Sequence, residues 1–153
     1  MNIENAIYEA SRILKRNNIK SPILDSELLM SKAIHKERDY IILNSKDNLD
    51  DKKFSYFSEL IKQRIRGKPV AYLIGKKDFW KYEFEIKDGT LIPRPDSEVI
   101  VEEVLRLTKN KTRCRVLDIG VGSGCILLSI LKEKKNFYGI GVDVSKKCLD
   151  LSN

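Results

Sequence analysis

Apolar residues recur at helical spacing through the first half of the chain. Ile3, Ala6, Ile7, Ala10 and Leu14 mark one face of an amphipathic helix, which the polar pair Asn17-Asn18 ends. Ser21-Pro22 opens a second helix, with proline in its first turn and Asp25 and Glu27 near its positive end. Leu24, Leu28 and Leu29 supply its expected buried face. A short apolar segment, Tyr40 to Leu43, and a polar turn, Asn44 to Asp51, come next. Phe54, Phe57, Leu60, Ile61 and Ile65 predict another amphipathic helix closed by Gly67. Pro69 to Leu73 reads as a further helical turn stopped by Gly75. The pattern predicts a bundle of roughly four or five helices over residues 1–75.

From Asp78 the period changes to two. Phe79, Trp80, Tyr82, Phe84 and Ile86 predict a strand or hairpin, with its turn at Lys87-Asp88-Gly89 and a connecting role over residues 76–92. Pro93-Arg94-Pro95 holds the backbone extended, and Asp96 or Ser97 then caps a helix carrying Ile100, Val101, Val104, Leu105 and Leu107. Arg115 to Ile119, broken only by Asp118, predicts a short buried parallel strand. It runs into Gly120, Gly122 and Gly124, then an apolar run of helical length, Ile126 to Leu131. Phe137 to Val142 predicts a second strand ending in Asp143, and another helix starts at Ser145. The class is α/β, a helical bundle followed by strand, helix and strand.

Composition narrows the setting. A chain of 153 residues with 42% hydrophobic content makes one ordinary domain or two small ones. No apolar run approaches a membrane span, and Met1-Asn-Ile-Glu-Asn lacks signal character. Cys114, Cys125 and Cys148 are odd in number and form no C-x-x-C, which fits thiols in a reducing cytoplasm. The net charge is +7. Its densest run, Lys62, Arg64, Arg66, Lys68, Lys76, Lys77 and Lys81 against Asp78, is either a solvated face or a surface for an acidic partner such as RNA or a ribosome-bound protein. No aromatic-interleaved motif accompanies it, so sequence-specific nucleic-acid recognition is not expected. Neither is a membrane, a metal site or a nucleophilic triad. The lone His35 reads as a helix-end residue, and the chain as a monomer.

The chemistry concentrates where strand, glycines and helix meet. Glycine takes positive φ and lets a ligand approach main-chain N–H groups. The dinucleotide fingerprint G-x-G-x-x-G would need a small third residue at position 125, where Cys125 stands. The pattern D-x-G-x-G-x-G instead resembles motif I of the class I methyltransferases, which bind S-adenosylmethionine. That resemblance assigns Asp118, Gly120, Val121, Gly122, Ser123 and Gly124 to the methionine end of the cofactor. Asp143, at the end of the second strand, stands where a carboxylate accepts from both ribose hydroxyls. The plainer alternatives are a tight turn without ligand, a buried strand acid at Asp118 and simple strand-end capping by Asp143.

Three segments in order are more specific: Gly67-Lys-Pro-Val-Ala-Tyr-Leu-Ile-Gly75, Phe79-Trp80 through Leu91-Ile-Pro-Arg-Pro-Asp-Ser-Glu98, and Asp118 to Cys125. Together they resemble the release factor glutamine methyltransferases, the HemK/PrmC family. The resemblance implies an N-terminal helical substrate-recognition domain (1–75), a β-hairpin connector (76–92) and the first half of a Rossmann-like class I methyltransferase domain (93–153). The implied activity is N5-methylation of the glutamine of a Gly-Gly-Gln motif in peptide-chain release factors, in translation termination, near the ribosome only through that substrate. Phe79, Trp80 and Arg94 would then wall the active site. The competing roles are core packing for the aromatics and, for Arg94, an ion pair with Asp96 or Glu98. Val121 stands where threonine is common in the family.

The family's substrate-gripping Asn-Pro-Pro-Tyr is missing: Pro22, Pro69, Pro93 and Pro95 are the only prolines and none adjoins another. The later strands of the sheet are likewise missing from these residues. The expectation is a partial form that transfers no methyl group and binds S-adenosylmethionine weakly. The alternatives are a ribosomal-protein glutamine or adenine N-methyltransferase of the same superfamily, or a non-catalytic truncated binding module. Two parallel strands with a helix or two cannot bury both faces of such a sheet. Residues 1–92 are therefore expected to fold well and 112–153 to be marginal. Thermal unfolding of residues 1–153 against 1–92 checks this. No additional cooperative transition is expected from the longer chain, and a transition belonging to its C-terminal part would contradict it.

Overall fold

A computed structural model describes residues 1–152, which form two compact units, Met1–Ile74 and a second beginning at Gly75. The first unit is helical: α1 (Ile3–Arg16), α2 (Pro22–Ile34), α3 (Arg38–Leu43), α4 (Asp51–Ile65) and α5 (Val70–Ile74). Their ends follow from local chemistry. The Asn2 side chain accepts from the Asn5 N–H at 2.9 Å and the Asp50 side chain from the Lys53 N–H at 2.8 Å, so each caps a helix start. His35 closes α2 in the left-handed conformation, the helix-end place expected for it.

Ile3, Ala6, Ala10 and Leu14 of α1 pack into one core with Leu29, Met30 and Ala33 of α2 and Phe57, Leu60 and Ile61 of α4. Of the leucines expected on the buried face of α2, Leu29 is buried and Leu28 half-buried, but Leu24 is exposed, whereas Asp25 and Ser26 are buried. The reason is an ion pair. Asp25 Oδ2 accepts from Arg64 Nε at 2.7 Å, and Oδ1 accepts from Ser21 Oγ at 2.8 Å. A carboxylate reads as a surface residue until its partner, 39 positions away on α4, is in place. The same bond takes Arg64 out of the basic run.

The second unit begins with a hairpin, β1 (Lys76–Phe79) and β2 (Tyr82–Glu85), antiparallel from Lys76↔Glu85 to Phe79↔Tyr82. Its turn is Trp80-Lys81, not the expected Lys87-Asp88-Gly89, which makes a separate turn closed by the Thr90 N–H on the Lys87 carbonyl. Trp80 supplies the positive φ, +58°, that the pattern had sought from glycine. A 3₁₀ turn, Pro95–Ser97, leads into α6 (Glu98–Leu107), and neither Asp96 nor Ser97 makes the expected side-chain cap. Within α6, Val101 is buried but Ile100 and Leu107 are exposed.

β3 (Arg115–Ile119) then passes through α7 (Cys125–Glu133) to β4 (Tyr138–Val142), which pairs parallel to β3 in the register Arg115↔Tyr138 to Ile119↔Val142; α8 (Lys146–Ser152) follows. One face of this two-stranded sheet is covered and the other is open, so the strand expected to be buried is buried on one side only. Leu117, Ile119, Tyr138, Ile140 and Val142 are exposed. The covered face carries Gly139 and Gly141, and this is a packing requirement. A Cβ on Gly139 would lie 2.7 Å from Leu131 Cδ1, and one on Gly141 2.7 Å from Val121 Cγ2. Phe79, Phe84, Val101, Cys125, Ile130 and Phe137 form the core of the unit.

Among the described residues, no helix is long and apolar enough to cross a membrane. The buried ion pair generates a prediction. Asp25→Ala leaves the Arg64 guanidinium without its acceptor and is expected to destabilise the helical unit by about 3 kcal/mol in chemical denaturation, the range for breaking one side of a buried pair. A change below about 1 kcal/mol, the range of an exposed pair, would contradict it.

Candidate functional site

The glycine turn sits between the carboxyl end of β3 and the start of α7, and its three glycines all take positive φ: +85° at Gly120, +57° at Gly122 and +77° at Gly124. Its amides point inward. Gly120 and Val121 both donate to the Val142 carbonyl, at 2.7 and 3.0 Å, and Gly124 donates to the Val121 carbonyl at 2.8 Å. Gly122 donates to Asp143 Oδ2 at 2.9 Å. The other carboxylate oxygen of Asp143, Oδ1, accepts from the Ser145 N–H at 2.8 Å. A phosphate-cradling loop needs amides free to face its ligand. The amides of Gly120, Val121, Gly122 and Gly124 are already bonded within the protein and take no part in clasping a pyrophosphate.

What the turn does present is negative charge. Asp118 on β3 and Asp143 after β4 stand at neighbouring strand ends and feel one another. Burial, and then the Asp143 charge, push the Asp118 carboxyl above the ordinary value, against a smaller opposing effect of the Leu127 amide. The Ser145 and Gly122 amides pull the Asp143 carboxyl below it. A pair of carboxylates beside an amide-poor turn favours a cationic group and hydroxyl donors over a phosphate.

Val121 is buried against Gly141, and Ser123 is buried in the turn. Burial pushes the Cys125 thiol up, so it is a packing residue rather than a nucleophile. The two aromatics expected at the active-site wall have different places. Phe79 is 1% exposed, edge-on to Phe84 in the core. Trp80 Nε1 donates to Glu133 Oε1 at 3.1 Å, at the far end of α7 and roughly 13 Å along the helix axis from Gly124. Trp80 is thus held at the far end of α7, whereas Phe79 shares a core with Cys125, the residue that follows the glycine turn. Arg94 is exposed and forms no ion pair among the described residues; Glu98 instead accepts from the Trp80 N–H at 3.0 Å. Sequence reasoning missed Glu98 and Glu133, which hold the hairpin turn, and the alternating glycines of β4, whose spacing was legible.

Two grooves lie in the helical unit, one of about 200 Å³ between α1 and α4 and one of about 250 Å³ beside α3. The first is walled by Ala10, Ile13, Phe57 and Ile61. The acids of the second, Glu4 and Glu27, are already paired with Lys46 and Arg38. Neither gathers free polar groups as the strand ends do.

Parallel strands joined through a glycine turn and a helix, with an acid at each strand end, define the first half of a Rossmann-like cofactor domain. Comparison with known proteins specifies which. Residues 5–75 match the family described as "PrmC N-terminal domain". The whole chain is 36% identical over 152 residues to the release factor glutamine methyltransferase of Buchnera aphidicola subsp. Acyrthosiphon pisum, covering 99% of this chain and 54% of that protein. It is 37% identical over 153 residues to that of Buchnera aphidicola subsp. Baizongia pistaciae (100% and 55%). It is 35% identical over 136 residues to that of Caulobacter vibrioides (89% and 47%). Over nearly its whole length the chain is similar to release factor glutamine methyltransferases, and it spans about half the length of the curated relatives it matches.

The two acids make opposite pH predictions. The folded state raises the Asp118 pKa, so its contribution to stability is present below the unfolded value and lost as pH rises through the folded one. Asp118→Asn is therefore expected to raise the hydrogen-exchange protection factor of the Leu128 amide of α7 at pH 7, with the gain vanishing as pH falls below the ordinary carboxylate value of 3.8. The folded state lowers the Asp143 pKa, so its contribution is present above 3.8 and lost as pH falls through its lower folded value. Asp143→Asn is expected to lower that protection at pH 7. Exchange measurements on both variants across pH check this, and a fall in protection at pH 7 for Asp118→Asn would contradict it.

Proposed function

We propose that residues 93–153 supply the methyl-donor side of an S-adenosylmethionine-dependent protein-glutamine N5-methyltransferase. Residues 1–75 serve as its helical substrate-recognition domain and 76–92 as the hairpin connector. The single observation that carries the reading is the inward-bonded glycine turn flanked by Asp118 and Asp143. A sulfonium or ammonium group is drawn to such a site, and a vicinal diol finds an acceptor in Asp143. When bound, S-adenosylmethionine supplies an electrophilic methyl group.

The chain's own contribution is to bind and orient. Asp118 places negative charge beside the α7 N-terminus, the Gly120–Gly124 turn removes side chains from the approach, and Asp143 fixes the sugar end. The substrate glutamine is the proposed acceptor because the relatives are release factor glutamine methyltransferases. An amide nitrogen is a weak nucleophile, so holding it in line with the methyl group is the catalytic task. The family's Asn-Pro-Pro-Tyr for that task does not occur in these 153 residues. The proposal therefore gives the chain the donor's wall without the acceptor's grip.

Two measurements test this. Calorimetry with S-adenosylhomocysteine is expected to give weak binding that Asp143→Ala reduces by at least roughly tenfold, the size of one lost charge-assisted hydrogen bond. Affinity indifferent to Asp143 would contradict the site. Labelled-methyl transfer by residues 1–153 to a release factor or a ribosomal protein is expected to be nil, and transfer to either would contradict the division of labour.

A further inference from the structure

The glycine turn is shaped from across the sheet. Three consecutive amides, those of Gly120, Val121 and Gly122, all find acceptors on the segment that leaves β4: two on the Val142 carbonyl and one on the Asp143 carboxylate. The Val121 side chain, between them, is seated where Gly141 offers no Cβ. Of these acceptors, the Asp143 carboxylate is the one made by a side chain.

We propose that Asp143 is a positioning residue for the glycine turn: through Oδ2 and the Gly122 N–H it holds the turn in its ligand-ready shape before any ligand arrives. The ligand-gripping part of this account rests on the methyl-donor reading above; the latch itself does not. The carboxylate has capacity for both roles. Each oxygen carries two lone pairs; the Gly122 and Ser145 amides use one on each oxygen, and the neighbouring Val144 amide also bonds to the carboxylate. Acceptor capacity remains beyond these three amides for a ligand hydroxyl. Latch and ligand therefore do not compete, and the acid that would grip the sugar also sets the turn beside it. The residue type follows. Asparagine has one carboxamide oxygen, which the local two-residue turn to the Ser145 N–H retains, and turns an NH2 toward the Gly122 N–H.

Amide hydrogen exchange on the ¹⁵N-labelled 153-residue chain tests this residue by residue. In the wild type, the Gly122 amide is expected to exchange at least roughly tenfold more slowly than in an unstructured peptide. Asp143→Asn is expected to abolish that protection while leaving the Ser145 amide and the Leu128 amide of α7 protected, and Asp143→Ala to lose Gly122 and Ser145 together. A merely structural role would not single out Gly122 among these amides. Peptide-like exchange of Gly122 in the wild type, or unchanged protection in Asp143→Asn, overturns the proposal. The wild-type result decides even where a variant fails to fold. Titration with S-adenosylhomocysteine separates the two readings. Gly122 protected without binding upholds the latch and removes the donor reading; binding with Gly122 unprotected does the reverse.

Discussion

Two acceptors at the end of β4, the Val142 carbonyl and the Asp143 carboxylate, hold the amides of Gly120, Val121 and Gly122, and the rest of the candidate site depends on that attachment. A turn with three glycines at positive φ has many conformations open to it, and the chain-entropy cost of fixing one is high. Here the cost is met by hydrogen bonds that form only when β3 and β4 pair in their parallel register. Gly141 belongs to the same device, because a side chain there would displace Val121. The glycines are therefore of two kinds: those of the turn supply backbone angles, and those of β4 supply room.

The attachment also decides what the site can recognise. The amides of Gly120, Val121 and Gly122 are spent on protein acceptors, and beside them stand the carboxylates of Asp118 and Asp143. Asp118 is kept at an energetic disadvantage by burial and by its neighbour Asp143, the condition expected of a group retained for what it binds rather than for stability. A second fixed point lies at the other end of α7. There Glu133 Oε1 accepts from Trp80 Nε1, the Tyr82 hydroxyl and Lys81 Nζ, while Glu98 takes the Trp80 N–H. Those bonds sustain a tryptophan at φ +58°, a conformation that costs about 1–2 kcal/mol for a residue with a Cβ.

The readable parts of the sequence were those governed by short-range rules. The α1 stripe, the Gly67 stop and the strand, glycine turn and helix from Arg115 onward follow from spacing and backbone chemistry, and the structure shows each. The illegible parts depend on a partner distant in the chain. Asp25 is buried because Arg64 reaches it, which moves the packed face of α2 away from Leu24. The hairpin turns at Trp80 because Glu98 and Glu133 stabilise a conformation that turn rules reserve for glycine or asparagine. Adjacency in sequence says nothing about which end of α7 each ring meets: Trp80 bonds to Glu133 at its end, and Phe79 packs with Cys125 at its start. The acids Asp118 and Asp143 were legible as candidates, but the bond from Asp143 to Gly122 required coordinates.

The account's central claim is that the glycine turn and its two acids form a methyl-donor site rather than a phosphate site. The most direct measurement is backbone amide chemical-shift mapping of the ¹⁵N-labelled chain with S-adenosylhomocysteine and, separately, with ATP. The account predicts shifts confined to Gly120–Gly124, Asp143 and their neighbours with S-adenosylhomocysteine and none there with ATP. Shifts of the turn with ATP and not with S-adenosylhomocysteine would contradict it.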